Sequence, residues 1–190
     1  MKYGAILADP PWQFKAWSDK GKGRAAEQHY DCMIYDDLCA LPMIEWAADD
    51  CALFLWVTDP MLLKALQLVE AWGFRYKTVA FYWVKLNKLM NVKSYPGVAY
   101  GEAEYFTGLG YWTRANPEMC LLATRGHPKR MAKDVCRLIV APRREHSRKP
   151  DEIYERIERL VSGPYLELFS RHRRPGWDQW GLEPDKFDSC

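Results

Sequence analysis

The chain has 190 residues, 48% of them hydrophobic and 27% charged, which suits one domain with a substantial core and excludes disorder throughout. Its formal net charge is only +2, so nucleic-acid binding would have to come from local basic patches and not from a global field. No run approaches the ~18 apolar residues of a membrane span and no apolar signal core opens the chain, so a cytoplasmic protein without membrane contact is expected.

The apolar run from Tyr3 to Ala8 is stopped by Asp9-Pro10-Pro11-Trp12, because proline cannot donate the next ladder bond. This reads as a buried strand that ends on a rigid rim carrying Asp9. The residue types suit methylation of an exocyclic aromatic amine. The lone pair of such an amine is delocalised into its ring, and strong acceptors on its N–H groups are needed to recover it. Asp9 and the Pro10 carbonyl are such acceptors, and the Trp12 indole could stack on a base, a contact worth ~1–3 kcal/mol. A strand followed by a Pro-rich turn and a buried Trp fits these four residues equally well.

Residues 13–30 hold Lys15, Lys20, Lys22 and Arg24 among Trp17, Tyr30 and two glycines, without a period, and read as a loop. Tyr35 to Ala48 allows one or two short helical turns broken by Pro42. Cys51 to Val57 is an unbroken apolar run, typical of a strand covered on both faces. Asp59 is expected to cap a helix with Pro60 first and Gly73 just past its end. In Phe74 to Lys85, Phe74, Tyr76, Thr78, Ala80 and Tyr82 should face one way and Arg75, Lys77, Val79, Phe81 and Trp83 the other. Residues 86–115 form a long polar stretch of the kind that is usually functional. Its Gly108-Leu109-Gly110 is followed by residues that cannot open a helix, which rules out a dinucleotide fingerprint.

Strands are expected at Met119 to Thr124 and Cys136 to Ala141. Pro150 to Val161 reads as a helix with Asp151 and Glu152 in its first turn and Lys149 at its mouth, where a cation and free N–H groups can seat an anion. A lysine pointing into water is the plainer alternative. Tyr165 to Phe169 is read as the last strand, leading to Arg171, Arg173 and Arg174. The six cysteines (32, 39, 51, 120, 136, 190) form no C-x-x-C pair and read as reduced thiols, mostly core filler, and the four scattered histidines give no metal spacing. Alternating strands and helices argue an open α/β sheet, with ligands at the carboxyl ends of its strands, where Asp9, Lys149 and Arg171 would lie.

Asp9-Pro-Pro-Trp12, the Gly-Tyr-Trp turn at 110–112, the strand from Cys120 to Thr124 with the Arg-Gly after it, Ser147-Arg-Lys-Pro-Asp-Glu-Ile-Tyr154 and Glu167-Leu-Phe-Ser-Arg171 occur in this order. Together they resemble the adenine-N6 methyltransferases, and most closely the catalytic subunit of the eukaryotic mRNA N6-methyladenine writer with its small bacterial and phage homologues, the MT-A-seventy-like family. The resemblance implies a Rossmann-like S-adenosylmethionine-dependent methyltransferase fold in the permuted β-class motif order. The chain would be a single methyltransferase domain over 1–190, with substrate loops at 13–30 and 86–115 and a tail at 183–190.

By the same resemblance, Asp9 and Pro10 hold the target amine, Pro11 and Trp12 shape the base pocket, and Asp9, Lys149, Glu167 and Arg171 contact S-adenosylmethionine. His172-Arg173-Arg174 stands where better-known eukaryotic members have Pro-His-Asn. Trp12, Lys15, Lys22, Arg24, Tyr30, Arg143, Arg144, Arg148, Arg173 and Arg174 are the expected contacts to nucleic acid, DNA in the first instance and RNA as the alternative, with the base flipped out of its stack. A monomer or homodimer is expected, with no metal. A catalytically silent nucleic-acid-binding subunit of a methyltransferase pair is the competing reading.

Overall fold

The computed structural model describes residues 1–12, 33–88, 105–144 and 148–181. A seven-stranded sheet in the order β5-β3-β4-β2-β1-β6-β7 forms its centre. The strands are β1 (Tyr3–Ala8), β2 (Ala47–Val57), β3 (Arg75–Leu86), β4 (Glu118–Arg125), β5 (Leu138–Pro142), β6 (Tyr165–Leu168) and β7 (Trp177–Trp180). Neighbours are parallel except around β4, which runs antiparallel to both β2 and β3. From β1 the chain crosses to β2 on one side, and only near its end returns to place β6 on the other. The β1/β6 boundary is therefore the switch point of the sheet, where a crevice opens at the carboxyl ends of the strands.

Strand alternation divides the core into two layers. Ile6, Ala8, Leu53, Leu55, Val57, Leu166 and Leu168 face one side, where they meet α1 (Tyr35–Cys39), α2 (Met43–Trp46) and α3 (Leu62–Ala71) through Leu38, Met43, Ala65, Leu68 and Val69. Ala5, Leu7, Ala52, Phe54, Trp56, Phe81, Trp83 and Cys120 face the other, covered by Ile153, Tyr154 and Ile157 of α4 (Glu152–Leu160). None of the described helices is long and apolar enough to cross a membrane.

Several expectations are adjusted. Asp59 is not the cap of α3: Thr58 precedes a 3-10 turn over Asp59–Met61, and α3 begins at Leu62. Gly73 does end that helix, with φ +78. The strict alternation expected over 74–85 is broken by bulges between Tyr76 and Thr78 and between Val79 and Phe81, so Val79 packs with the α3 layer while Phe81 and Trp83 pack with α4. The strand expected from Cys136 starts at Leu138, and Cys136 is exposed instead of filling the core. Tyr165 to Phe169 is not the last strand either, because Trp177–Trp180 adds β7 parallel to β6. Residues 13–30 and 183–190 and most of the stretch 86–115 lie outside the described residues.

Candidate active site

A period of two places four charged side chains on one face at the carboxyl edge. Asp9 follows Leu7 in phase, and Glu167 lies opposite Leu7 in the β1/β6 register. Glu118 is two residues before Cys120 and Lys85 two after Trp83, both on the α4 side. Because β4 is antiparallel, its first residue, Glu118, lies at the end where β1, β2 and β3 finish. Lys149, three residues before α4, comes in over them.

The result is a row of alternating charge. Lys85 Nζ is 2.5 Å from Glu118 Oε1, Lys149 Nζ is 3.3 Å from Glu118 Oε2, and Lys149 Nζ donates to Asp9 Oδ2 at 2.7 Å. Lys149 is only 14% exposed and its ammonium lies 5.5 Å from the centre of the Trp56 ring, so it does not point into water. Burial pushes Glu118 up, but Lys149 and Lys85 outweigh it and hold its carboxyl below the usual range. Arg144 brackets this segment: it grips both carboxylate oxygens of Asp151 at 2.6 and 2.8 Å and donates to the Lys149 carbonyl at 2.7 Å. On the rim, the Pro10 carbonyl accepts the Trp12 N–H at 2.8 Å in a tight turn, and the Pro11 carbonyl accepts from Met33 at 3.1 Å. A carbonyl has two lone pairs, so this turn uses half of Pro10's accepting capacity.

Glu167 is held by Tyr154, whose hydroxyl donates to Oε1 at 2.9 Å, and by Ser170, whose Oγ donates to Oε2 at 3.0 Å. Phe169 between them has φ +63, a strained conformation for a bulky residue that turns Ser170 back toward Glu167. Burial raises the Glu167 carboxyl to about 7, with the Asp9 charge adding to it against the two hydrogen bonds. A carboxyl with a raised folded pKa binds its proton more tightly in the native state, so stability falls as pH rises from about 4.5 to about 7. Glu167→Gln, which cannot ionise, is expected to flatten the pH dependence of unfolding in that window. Denaturant melts at pH 5 and pH 8 would show it.

The sequence of residues 3–183 matches the MT-A70 family model. The chain belongs to the MT-A70 family. It is 32% identical to the Type II methyltransferase M.MunI of Mycoplasma sp, over 97% of this chain and 79% of that protein. It is 32% identical to the N(6)-adenosine-methyltransferase MT-A70-like protein of Drosophila melanogaster and 31% identical to the N(6)-adenosine-methyltransferase catalytic subunit METTL3 of Homo sapiens. These matches cover 97% of this chain but only 27% and 28% of those two proteins. The expected resemblance and the methyltransferase fold stand with this membership.

Within this MT-A70 chain the other expected site residues have varied positions. Asp9 and Lys149 touch, and Glu167 lies on the same face. Trp12 is 5% exposed and belongs to the α3-side core, so its indole is packed and does not form an open stacking face. Arg174 pairs with Glu158 at 3.3 Å and lies over the Tyr154 ring at 4.7 Å, and Arg143 stacks on Phe106 at 3.3 Å. Arg148 is 4.0 Å from Asp151. Arg174, Arg143 and Arg144 are thus engaged in holding the fold. Arg171 is half-buried and Arg173 exposed, while Lys15, Lys22, Arg24 and Tyr30 lie outside the described residues. Glu118 and Lys85 escaped the sequence reading. Their only signal was a charge next to an apolar run, Glu118 before that of β4 and Lys85 after that of β3.

Proposed function

We propose that the chain transfers the methyl group of S-adenosylmethionine to N6 of adenine in DNA. The observation that carries this reading is Asp9, held by Lys149 at 2.7 Å beside the Pro10 carbonyl, at the switch point of an MT-A70 sheet. The cofactor would supply an electrophilic methyl on a sulfonium. Lys149, Asp9 and Glu167 present the donor set such a molecule needs: a cation for its carboxylate, an anion for its ammonium and an acceptor for ribose hydroxyls.

A second feature supports a polar ligand at this edge. Among the described residues, Trp12 Nε1, Trp56 Nε1, Thr58 Oγ1 and Arg143 Nε are buried without hydrogen-bond partners, and all follow or close strands at their carboxyl ends. Buried donors are normally satisfied, so polar groups supplied by a ligand or by water suit these positions one by one. Asp9 and the Pro10 carbonyl would accept the two N6–H bonds, draw the lone pair out of the ring and orient it, and Asp9 would take the proton from nitrogen once the methyl has passed to it and the sulfonium has become a neutral thioether. Cys120 is no rival nucleophile, because burial and then the Asp9 charge hold its thiol far up.

A base inside its stack is out of reach of Asp9, so the adenine must be flipped out or unpaired. Backbone phosphates would meet the basic runs at 143–144, 148–149 and 171–174, and binding should weaken steeply with salt. DNA is named first because a bacterial type II methyltransferase, M.MunI, is matched over 79% of its own length. Competition between matched DNA and RNA oligonucleotides at one salt concentration tests this. N6-methyldeoxyadenosine should dominate, and N6-methyladenosine from RNA alone would reverse the assignment.

A further inference from the structure

The segment 105–116 leads into β4 through a stiff base and a costly tip. Its base is fastened to the end of β3. Phe106 N–H donates to the Lys85 carbonyl at 2.9 Å, and the Asn116 side chain bonds the Lys85 N–H, the Lys85 carbonyl and the Phe106 carbonyl at 3.0, 2.9 and 2.6 Å. Arg143 covers the Phe106 ring, and Gly108 pairs with Ala115 across the neck. A Cβ at Gly110 would collide with the Thr113 carbonyl, so the chain can close this tightly only with glycine there.

At the tip stands Trp112. Its φ is +69, in the left-handed region that a bulky side chain rarely occupies, and its side chain is 94% exposed. The strain opposes folding, the exposed indole contributes no burial against it, and among the described residues no hydrogen bond or ring contact of the indole offsets it. Strain of this kind is retained where a ligand makes use of it. Lys85, to which the base is fastened, is also the first member of the charge row that ends at Asp9. The tip is therefore built onto the candidate active site, with the exposed Arg114 beside it.

We infer that Trp112 is a substrate-binding residue that stacks on a base of the nucleic acid, next to the adenine presented to Asp9. This rests on the methyltransferase reading above. A rigid, exposed indole matches the face of any base, and a neighbouring guanidinium suits a phosphate. With Trp12 packed in the core, this tip offers an open aromatic face at an edge where the expected stacking surface is closed.

The test uses the full chain, a fluorescein-labelled single-stranded DNA oligonucleotide containing adenine, and three variants. Trp112→Ala should weaken binding by about 5- to 100-fold. Trp112→Phe should retain most of the affinity. The salt slope of Trp112→Ala should equal that of the wild type, since no phosphate contact is lost. Trp112→Gly should weaken binding without lowering Tm, because glycine accepts the positive φ. Unchanged binding by Trp112→Ala, a lowered Tm in Trp112→Gly, or a change confined to self-association in sedimentation would each overturn the inference. Wild type that binds the oligonucleotide without methylating it would count against the methyltransferase reading and leave the stacking to be judged on affinity. Full binding and methylation by Trp112→Ala would overturn the stacking and leave that reading intact.

Discussion

Asp9→Ala is expected to lose turnover by at least the ~10²–10³-fold that follows removal of one preorganised polar group from a reaction centre. Asp9 lies one residue past β1, where its carboxylate meets the Lys149 ammonium outside both core layers, so those layers stay as they are. Asp9→Asn keeps the shape and one acceptor but gives up the charge and turns an amide N–H toward the amine, and it should be impaired nearly as severely. Melting temperature and circular dichroism should stay close to wild type in both. Turnover within a few-fold of wild type in either variant would remove Asp9 from the chemistry.

Lys149→Ala carries the second large effect. Its ammonium touches Asp9 and Glu118, so truncation leaves two carboxylates facing each other over a gap. A charge-assisted bond to the cofactor carboxylate is worth roughly 1.5–3 kcal/mol, so cofactor affinity should fall about tenfold or more, measured by calorimetry. Lys149→Arg should not restore it, because a planar fork cannot replace a compact ammonium between two carboxylates. Unchanged cofactor affinity in Lys149→Ala would leave the lysine with a purely structural part.

The features legible in the sequence are those that local physics decides. An apolar run stopped by two prolines gave β1 and its rim, the unbroken run 51–57 gave the doubly covered centre of β2, and the acidic first turn after Pro150 gave α4. Lys149 and Asp9 could be placed at one edge because both follow from where elements begin and end. Glu118 could not, since its position at that edge depends on β4 running antiparallel between β2 and β3, a non-local pairing with no local signature. The arginines show a related limit. A basic run reveals charge but not partners, so Arg144 and Arg174 looked like phosphate ligands, while the fold uses one to bracket the Lys149 carbonyl and the other to cap Tyr154 and Glu158. For Trp12 a stacking face and a buried indole fit the sequence equally well, and the fold decides for the buried one by including it in the core layer on the α1–α3 side of the sheet.

The most direct measurement is transfer of isotopic label from S-[methyl-³H]adenosylmethionine to an adenine-containing DNA oligonucleotide, followed by digestion and separation of the nucleosides. The carboxyl edge built on Asp9 and Lys149 should place the label on N6-methyldeoxyadenosine with wild type and on nothing with Asp9→Ala. Label on N4-methyldeoxycytidine, or label on N6 that persists with Asp9→Ala, would contradict it.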